Sequence, residues 1–293
     1  VDLTPVVAEN QAVGTDPMTS FIGAGPAALH EAANVVAAAP RHAIVDLAQV
    51  RLLAPVVPPR MRNFSVYEGH IRNAFAAAIE MRSGRLVSRA LQRTGLLAPP
   101  RGWYRRPAYY KGNHLSVIGP FDDIVAPGYT QRLDYELELA AVIGTPGRDL
   151  TEQDGEAHVF GYTLLNDVSA RDVLVGELFS GLGPAKGKDF DTGNVLGPWL
   201  ATRDEIPDPQ ALRGEIRVNG QRRAECSTAD MYHSVGAMVA EASRGETLVA
   251  GEVFGTGCCT WGAGIELKQF LSAGDVVELT LGPLGTQRNR VVA

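Results

Sequence analysis

Cysteine is scarce in this 293-residue chain, which has only Cys226, Cys258 and Cys259, an odd number with two of them adjacent. That excludes a disulfide framework and makes a reducing cytoplasm the expected compartment. Cationic excess is missing too. The formal net charge of −6 argues against a nucleic-acid partner and against an anionic membrane surface. No apolar run approaches the roughly 20 residues that a membrane span needs, and no charged stretch leads into an apolar one as in a signal peptide. An initiating methionine is also absent: the chain opens at "VDLTPVV", already inside an apolar run, so a further upstream segment is expected. What is present is ordinary for a globular protein. Hydrophobic residues make up 45% and charged residues 20%, with length enough for one large domain plus a small one.

Residues 1–57 are alanine-rich and end in "VRLLAPVVPP", whose prolines read as a linker, so the expected division is a small N-terminal unit at 1–57 and a main domain at 58–293. Within the first unit, "FIGAGPAALHEA" places Gly23, Gly25 and Ala28 in the spacing of a dinucleotide fingerprint, with Asp46 further on. That fingerprint needs a buried strand before it, and "VGTDPMTS" is polar and turn-like, so no flavin or nicotinamide site is expected. A helix is predicted from Ser65, where "SVYE" forms a capping box with Glu68. Phe64, Tyr67, Ile71, Phe75 and Ala78 then recur at helical spacing. His70 sits at the edge of that stripe. Its neighbours on the helix include no acid, and Glu68 lies about 200° around the axis, so any carboxylate partner of His70 must come from elsewhere in the chain.

From residue 108 onward short strands dominate: "HLSVIG", "LELAAVIG", "FGYTLLNDV", "GEIRVNGQRRAEC" with its Asn219-Gly220 turn, "VVELTLG" and the C-terminal stretch. A helix near 229–242 is expected among them, capped by Ser227 or Thr228. The predicted class is α+β, mostly β: a sandwich or roll with peripheral helices and a small N-terminal domain.

Four stretches carry candidate chemistry. "LDYELELAAVIG" puts Asp134, Glu136 and Glu138 at alternate positions of an otherwise apolar strand, hence on one face. Aligned carboxylates repel one another unless a hard divalent cation sits among them. "LLNDVSARDV" delivers Asp167 at the end of an apolar strand. "GPAKGKDFDTGN" gathers Lys186, Lys188, Asp189, Asp191 and Thr192 between glycines, but it is neither a phosphate loop, because Leu182 and Asp189 break the pattern, nor a calcium loop, because Leu200 holds the twelfth position. "GTGCCTWGAGIELKQF" sets Glu266 between Ile265 and Leu267, a pattern that also suits the exposed side of a strand.

Taken in order from about Arg60, the histidine-bearing helix, "YYKGNHLSVIGP", "DYELELAAVIG", "GYTLLNDVSARD", "KGKDFDTGNVLGPW", a "VNG" hairpin, "GEVFGTG" and "AGDVVELTLGPLGTQRNRV" resemble the fumarylacetoacetate hydrolase family, in its bacterial type. The resemblance implies that family's mixed β-sandwich roll and a site in which Glu136, Glu138 and Asp167 hold Mg²⁺, or Mn²⁺ or Ca²⁺. It further implies His70 as general base oriented by Glu266, Lys188 as a catalytic cation, and Tyr110, Thr192 and Cys258 toward substrate. Asp134 matches a position not usually counted as a ligand. Two positions depart from the family pattern: Asn63 stands where some members have a fourth metal-binding aspartate, and Cys258 where the eukaryotic hydrolases have a threonine. The implied activity is metal-dependent hydrolysis of a C–C bond in a 1,3-diketo acid, an acylpyruvate or a fumarylacetoacetate-like compound. The same site would serve a keto-acid decarboxylase or keto–enol isomerase, and a non-catalytic metal-stabilised binding protein is a third reading. A cytoplasmic homodimer acting on a small keto acid, without nucleic-acid or membrane partners, is the expected form.

Overall fold

The computed structural model describes residues 1–9, 16–181 and 183–293 and has the strand Leu137–Ile143 at its centre. Alternation along this strand serves two buried faces. Leu137, Leu139, Ala141 and Ile143 join a core with Ile216, Leu279 and Leu281, whereas Ala140 and Val142 pack with Ile22, Val56, Met61 and Val253. Side chains two apart share a face of a strand, so Glu138 is carried below Ala140 into the protein interior.

Among the described residues, eight strands form the main sheet, in the order Ala108–Gly112, Met61–Ser65, Val253–Gly255, Leu137–Ile143, Val159–Asp167, Asn194–Leu196 and Val117–Ile118, with Ala201–Thr202 paired to the fifth. The sheet is mixed: Met61–Ser65 runs parallel to Val253–Gly255, whereas Leu137–Ile143 is antiparallel to both of its neighbours. A second, five-stranded sheet contains Gln221–Ser227, Arg213–Val218, Val276–Leu281, Thr286–Val292 and Ile124–Val125. Its first two strands are joined at Asn219 and Gly220, both at positive φ (53° and 75°), as a tight hairpin with right-handed twist requires. The buried Gln287 ties the sheets together, its amide nitrogen donating to the carbonyls of Leu164, Val195 and Gly197 at 2.9–3.0 Å.

The N-terminal part is a helical subdomain, with helices Thr4–Glu9, Pro17–Gly23 and Pro26–Ala38. Phe21 joins Val6, Ala28 and Ala32 in its own small core, and Ile22 reaches the main sheet. The glycine pattern at 23–28 therefore connects two helices. Asp16 caps the first of them, accepting from Thr19 N at 2.9 Å, so the strand that a dinucleotide site demands is replaced by a helix. Residues 13–15 of the preceding polar stretch lie outside the described residues. The whole is an α+β fold: a small N-terminal helical subdomain on a larger half-barrel of mixed β-sheet. No helix among the described residues is long and apolar enough to cross a membrane.

Three local expectations need correction. Ser65 ends the strand Met61–Ser65 and the helix runs Glu68–Ser83, with no side-chain cap. Glu68 does not reach back to Ser65, because its carboxylate is held by Arg72 and Tyr104. The segment at 229–242 is two pieces: a 3-10 turn Thr228–Asp230 capped by Ser227, then the helix Val235–Ser243 capped by Ser234. The acid-bearing run is broken as well, into Leu133–Asp134 and Leu137–Ile143, with Glu136 making a lone bridge to Ala263 between them.

Candidate active site

The break in the strand sends the three acids to different work. Asp134 is fully buried and accepts from Arg171 Nε at 2.9 Å, Gly264 N at 2.8 Å and Ile265 N at 2.9 Å. It thereby clasps the short helix Gly264–Leu267 that carries Glu266. Glu136 and Glu138 face a cavity of about 440 Å³ together with Asp167, and all three are buried. An oxygen from each of these three carboxylates lies within 4.8 Å of the others.

Two cations and one amide hold the trio together. Lys188, itself buried, bridges Glu136 Oε2 (2.8 Å) and Asp167 Oδ2 (2.7 Å) and also donates to Asp167 O at 3.0 Å. Arg171 pairs with Glu136 as well as with Asp134. Asn63 donates to Asp167 and, at 3.2 Å, to Glu138, while Gly257 N donates to Glu138 Oε2 at 3.1 Å. Burial alone would raise the Glu136 pKa, but Lys188 and Arg171 overcome it and hold that carboxyl well below its usual range. Glu138 goes the other way: burial, then the neighbouring Asp167 and Glu136, push it well above. Close approach of the backbone is built in at Gly255, where a Cβ would stand 2.5 Å from Asn63 Oδ1 and 2.7 Å from Glu138 Oε2.

His70 lies in the first turn of the helix Glu68–Ser83, and Gly69 beside it lets that turn dock on Thr260, whose Oγ1 would be 2.5 Å from an added Cβ. The apolar stripe of this helix faces the cavity through Ile71, Ala74, Phe75 and Ala78, and only Ala77 on it is buried. His70 Nδ1 is 3.1 Å from Glu266 Oε2, and its Nε2 points toward Glu136, 4.0 Å from Oε1. Glu266 is fixed in turn by Asn73 Nδ2 (3.1 Å) and by the backbone N–H groups of Trp261 and Ala263. Burial would depress the His70 pKa, but the Glu266 and then Glu136 carboxylates outweigh it, and the net shift is upward. The off-helix partner is therefore Glu266, on a buried helical turn and not on the exposed side of a strand.

Tyr110 lines the same cavity and donates to Asp167 Oδ2 at 2.7 Å. Burial and the Asp167 carboxylate raise its pKa well above the usual phenol value, so it stays a donor. Cys258 also lines the cavity, within a second cluster with His70 and Glu266, and burial followed by the Glu136 and Glu266 carboxylates keeps its thiol protonated. Thr192 lies apart from these groups: its hydroxyl accepts from Val125 N at 2.9 Å, and it is not among the described residues lining the cavity. Sequence reasoning missed Arg171, Asn73 and the clasp made by Asp134. Arg171 was legible as a cation four residues after Asp167, but nothing local signalled that it would span Asp134 and Glu136 in a distant segment.

Both clusters have the composition to take a divalent cation, and the trio fits one better. Its three carboxylates offer hard oxygens, and Asp167 Oδ1 and Asn63 Oδ1 are buried without a hydrogen-bond partner. In the other cluster Cys258 offers only a soft thiol that burial keeps protonated, and the His70 ring is already held by Glu266. A cation among Glu136, Glu138 and Asp167 would also relieve the carboxylate repulsion that adds to burial in raising the Glu138 pKa.

Comparison with known proteins agrees with this constellation. The chain is 32% identical over 250 residues to oxaloacetate tautomerase YisK of Bacillus subtilis (strain 168), covering 84% of this chain and 74% of that one. It is 41% identical over 190 residues to the mitochondrial oxaloacetate tautomerase fahd2 of Xenopus laevis, covering 64% of this chain and 59% of the frog protein's length. The solved structure of the fumarylacetoacetate hydrolase EaFAH from the psychrophile Exiguobacterium antarcticum superposes with a TM-score of 0.71 at 31% identity, over 99% of this chain and 91% of that one. The family described as fumarylacetoacetate (FAA) hydrolase C-terminal matches residues 69–292, and with the carboxylate trio, His70 and Lys188 gathered in one cavity, the chain belongs to that family.

Proposed function

We propose that this enzyme interconverts the keto and enol forms of a small 2-oxo acid of the oxaloacetate type, with Mg²⁺ as its cation and Mn²⁺ or Ca²⁺ as substitutes. The observation that carries the reading is the placement of His70: backed by Glu266 on one side, it faces the carboxylate trio on the other, within a cavity large enough for a small keto acid. The two tautomerase relatives supply the substrate type. Held by Glu136, Glu138 and Asp167, the cation would act as a Lewis acid that polarises the substrate carbonyl. His70 Nε2 takes a proton from the carbon next to the carbonyl; the C–H electron pair becomes the C=C bond, and the proton ends on the carbonyl oxygen. Glu266, which accepts at Nδ1, keeps the ring aimed and stabilises the imidazolium while it carries that proton. The Lys188 ammonium and the Tyr110 hydroxyl supply positive potential and a donor where oxygen charge develops. Cys258, uncharged, shapes the wall.

Hydrolysis of a C–C bond is the second reading, favoured by the likeness to EaFAH, and in it the same His70–Glu266 pair activates a water. Decarboxylation of a keto acid draws on the same groups without the water. A single set of assays separates them: loss of the oxaloacetate enol followed by its ultraviolet absorbance, carbon dioxide release, and acylpyruvate cleavage, all with Mg²⁺. The expected outcome is rapid tautomerisation with little of either bond cleavage. Efficient acylpyruvate cleavage, with enol loss at the uncatalysed rate, would replace the tautomerase by the hydrolase. As the working form we propose a cytoplasmic homodimer divided near residue 57, which size-exclusion chromatography with light scattering and limited proteolysis would test.

A further inference from the structure

Charge is distributed unevenly along this acidic chain. Between Glu80 and Asp122 it carries Arg82, Arg85, Arg89, Arg93, Arg101, Arg105, Arg106 and Lys111 and not one of its 33 acids. The same stretch makes the outer wall of the cavity through Pro99, Pro100, Trp103, Tyr109 and Tyr110. Lys111 also lines an adjoining hollow that shares Tyr110 and Lys188 with the cavity. Arg93, Arg101, Arg105, Arg106 and Lys111 are exposed and make no ion pair among the described residues. Two nearby acids are paired with cations, Glu68 with Arg72 and Glu80 with Lys268, whereas Asp189 accepts from the neutral Asn113 and keeps its charge beside Lys111 in that hollow. Trp103 is buried on the short helix Arg101–Arg105, and residues two places away lie about 200° around the axis, so Arg101 and Arg105 face water on the side opposite the cavity wall. What they can do is shape the field across the mouth, because unpaired surface charges act over a screening length of about 8 Å at physiological salt.

We infer that the stretch from Met81 to Phe121 is an electropositive collar that draws doubly charged 2-oxo acids to the cavity in preference to singly charged ones. This rests on the keto-acid reading above and goes beyond it, assigning capture of the substrate to the exposed cations of that stretch, which are distinct from the groups placed in the chemistry. One-signed charge around a cleft raises association rates of opposite charges by about 10- to 10³-fold, the more so the higher the ligand charge.

The test is stopped-flow association on the Mg²⁺-loaded protein, read by tryptophan fluorescence and checked by calorimetry. Two non-enolisable probes are used: N-oxalylglycine, which carries two carboxylates, and oxamate, which carries one. Wild type is compared with the triple variant Arg101→Gln/Arg105→Gln/Arg106→Gln at about 20 mM and about 300 mM salt. The expected result is a kon for N-oxalylglycine about tenfold lower in the variant at low salt, with a flattened salt dependence, an unchanged koff, and a smaller effect on oxamate. Equal salt slopes in the two proteins, or equal losses for both probes, would overturn the collar. Oxaloacetate turnover is measured in parallel. Tautomerisation with equal slopes removes the collar alone, while unequal slopes without turnover leave the collar standing and remove the reaction assignment.

Discussion

His70 and Glu266 are 196 residues apart in the chain and 3.1 Å apart in space, Nδ1 to Oε2. Each is fixed by its own backbone: His70 by a helix turn docked on Thr260 through Gly69, Glu266 by a buried turn that Asp134 grips at Gly264 N and Ile265 N. The pair is therefore preorganised, and it leaves Nε2 free toward the carboxylate trio.

His70→Ala is expected to lower the rate of oxaloacetate tautomerisation by about 10²- to 10⁴-fold, the range for loss of a general base. Glu266→Gln should lower it less, since the ring keeps a hydrogen-bonding partner. Both variants should retain Mg²⁺ affinity. Steady-state kinetics and calorimetric titration on the same preparations check this, and a His70→Ala enzyme as fast as wild type would remove the base assignment.

Glu138→Ala and Glu136→Ala should abolish measurable Mg²⁺ binding while preserving the far-ultraviolet circular dichroism spectrum. Of the two, Glu136→Ala is expected to be the less stable, because it leaves Lys188 and Arg171 short of a buried partner. Unchanged Mg²⁺ affinity in both would sink the trio as the metal site.

Asn63→Asp adds a fourth buried carboxylate beside Glu138 and Asp167. Without metal, like-charge repulsion should lower the melting temperature. With Mg²⁺ the added anionic oxygen should tighten binding, since affinity rises with ligand charge. Thermal unfolding with and without Mg²⁺ should therefore show opposite shifts from wild type, and shifts of the same sign would mean that position 63 does not face the cation.

Asp134→Ala removes one partner of a buried ion pair, a change that typically costs about 3–5 kcal/mol. It also frees the turn that carries Glu266. Denaturant unfolding should show the loss of stability, and kinetics a drop in turnover without loss of Mg²⁺ affinity. Should stability fall while turnover at low temperature stays at the wild-type level, Asp134 has no part in positioning Glu266.

The strand-rich class, the Asn219-Gly220 hairpin and the buried run at 137–143 were legible because hydrophobic period and turn chemistry are local properties. The ordered motifs also made Glu136, Glu138, Asp167 and His70 stand out before any contact was known. Local rules failed where a distant partner competed. Ser65 with Glu68 reads as a helix cap, but pairing with Tyr110's strand extends Met61–Ser65 through that serine, and Arg72 takes the glutamate. In the motif whose lysine enters the cavity, the Thr192 hydroxyl accepts from Val125 N, a contact between distant segments that no local pattern announces. The sequence by itself determined which residue types could bind a cation and move a proton. Only the tertiary structure decided that Asp134 would leave its two neighbours to clasp the Glu266 turn, that Arg171 and Lys188 would offset the trio's charge, and that an acid-free stretch would wall the cavity. Those outcomes depend on side chains from distant segments competing for the same buried hydrogen bonds, and a local pattern carries no record of that competition.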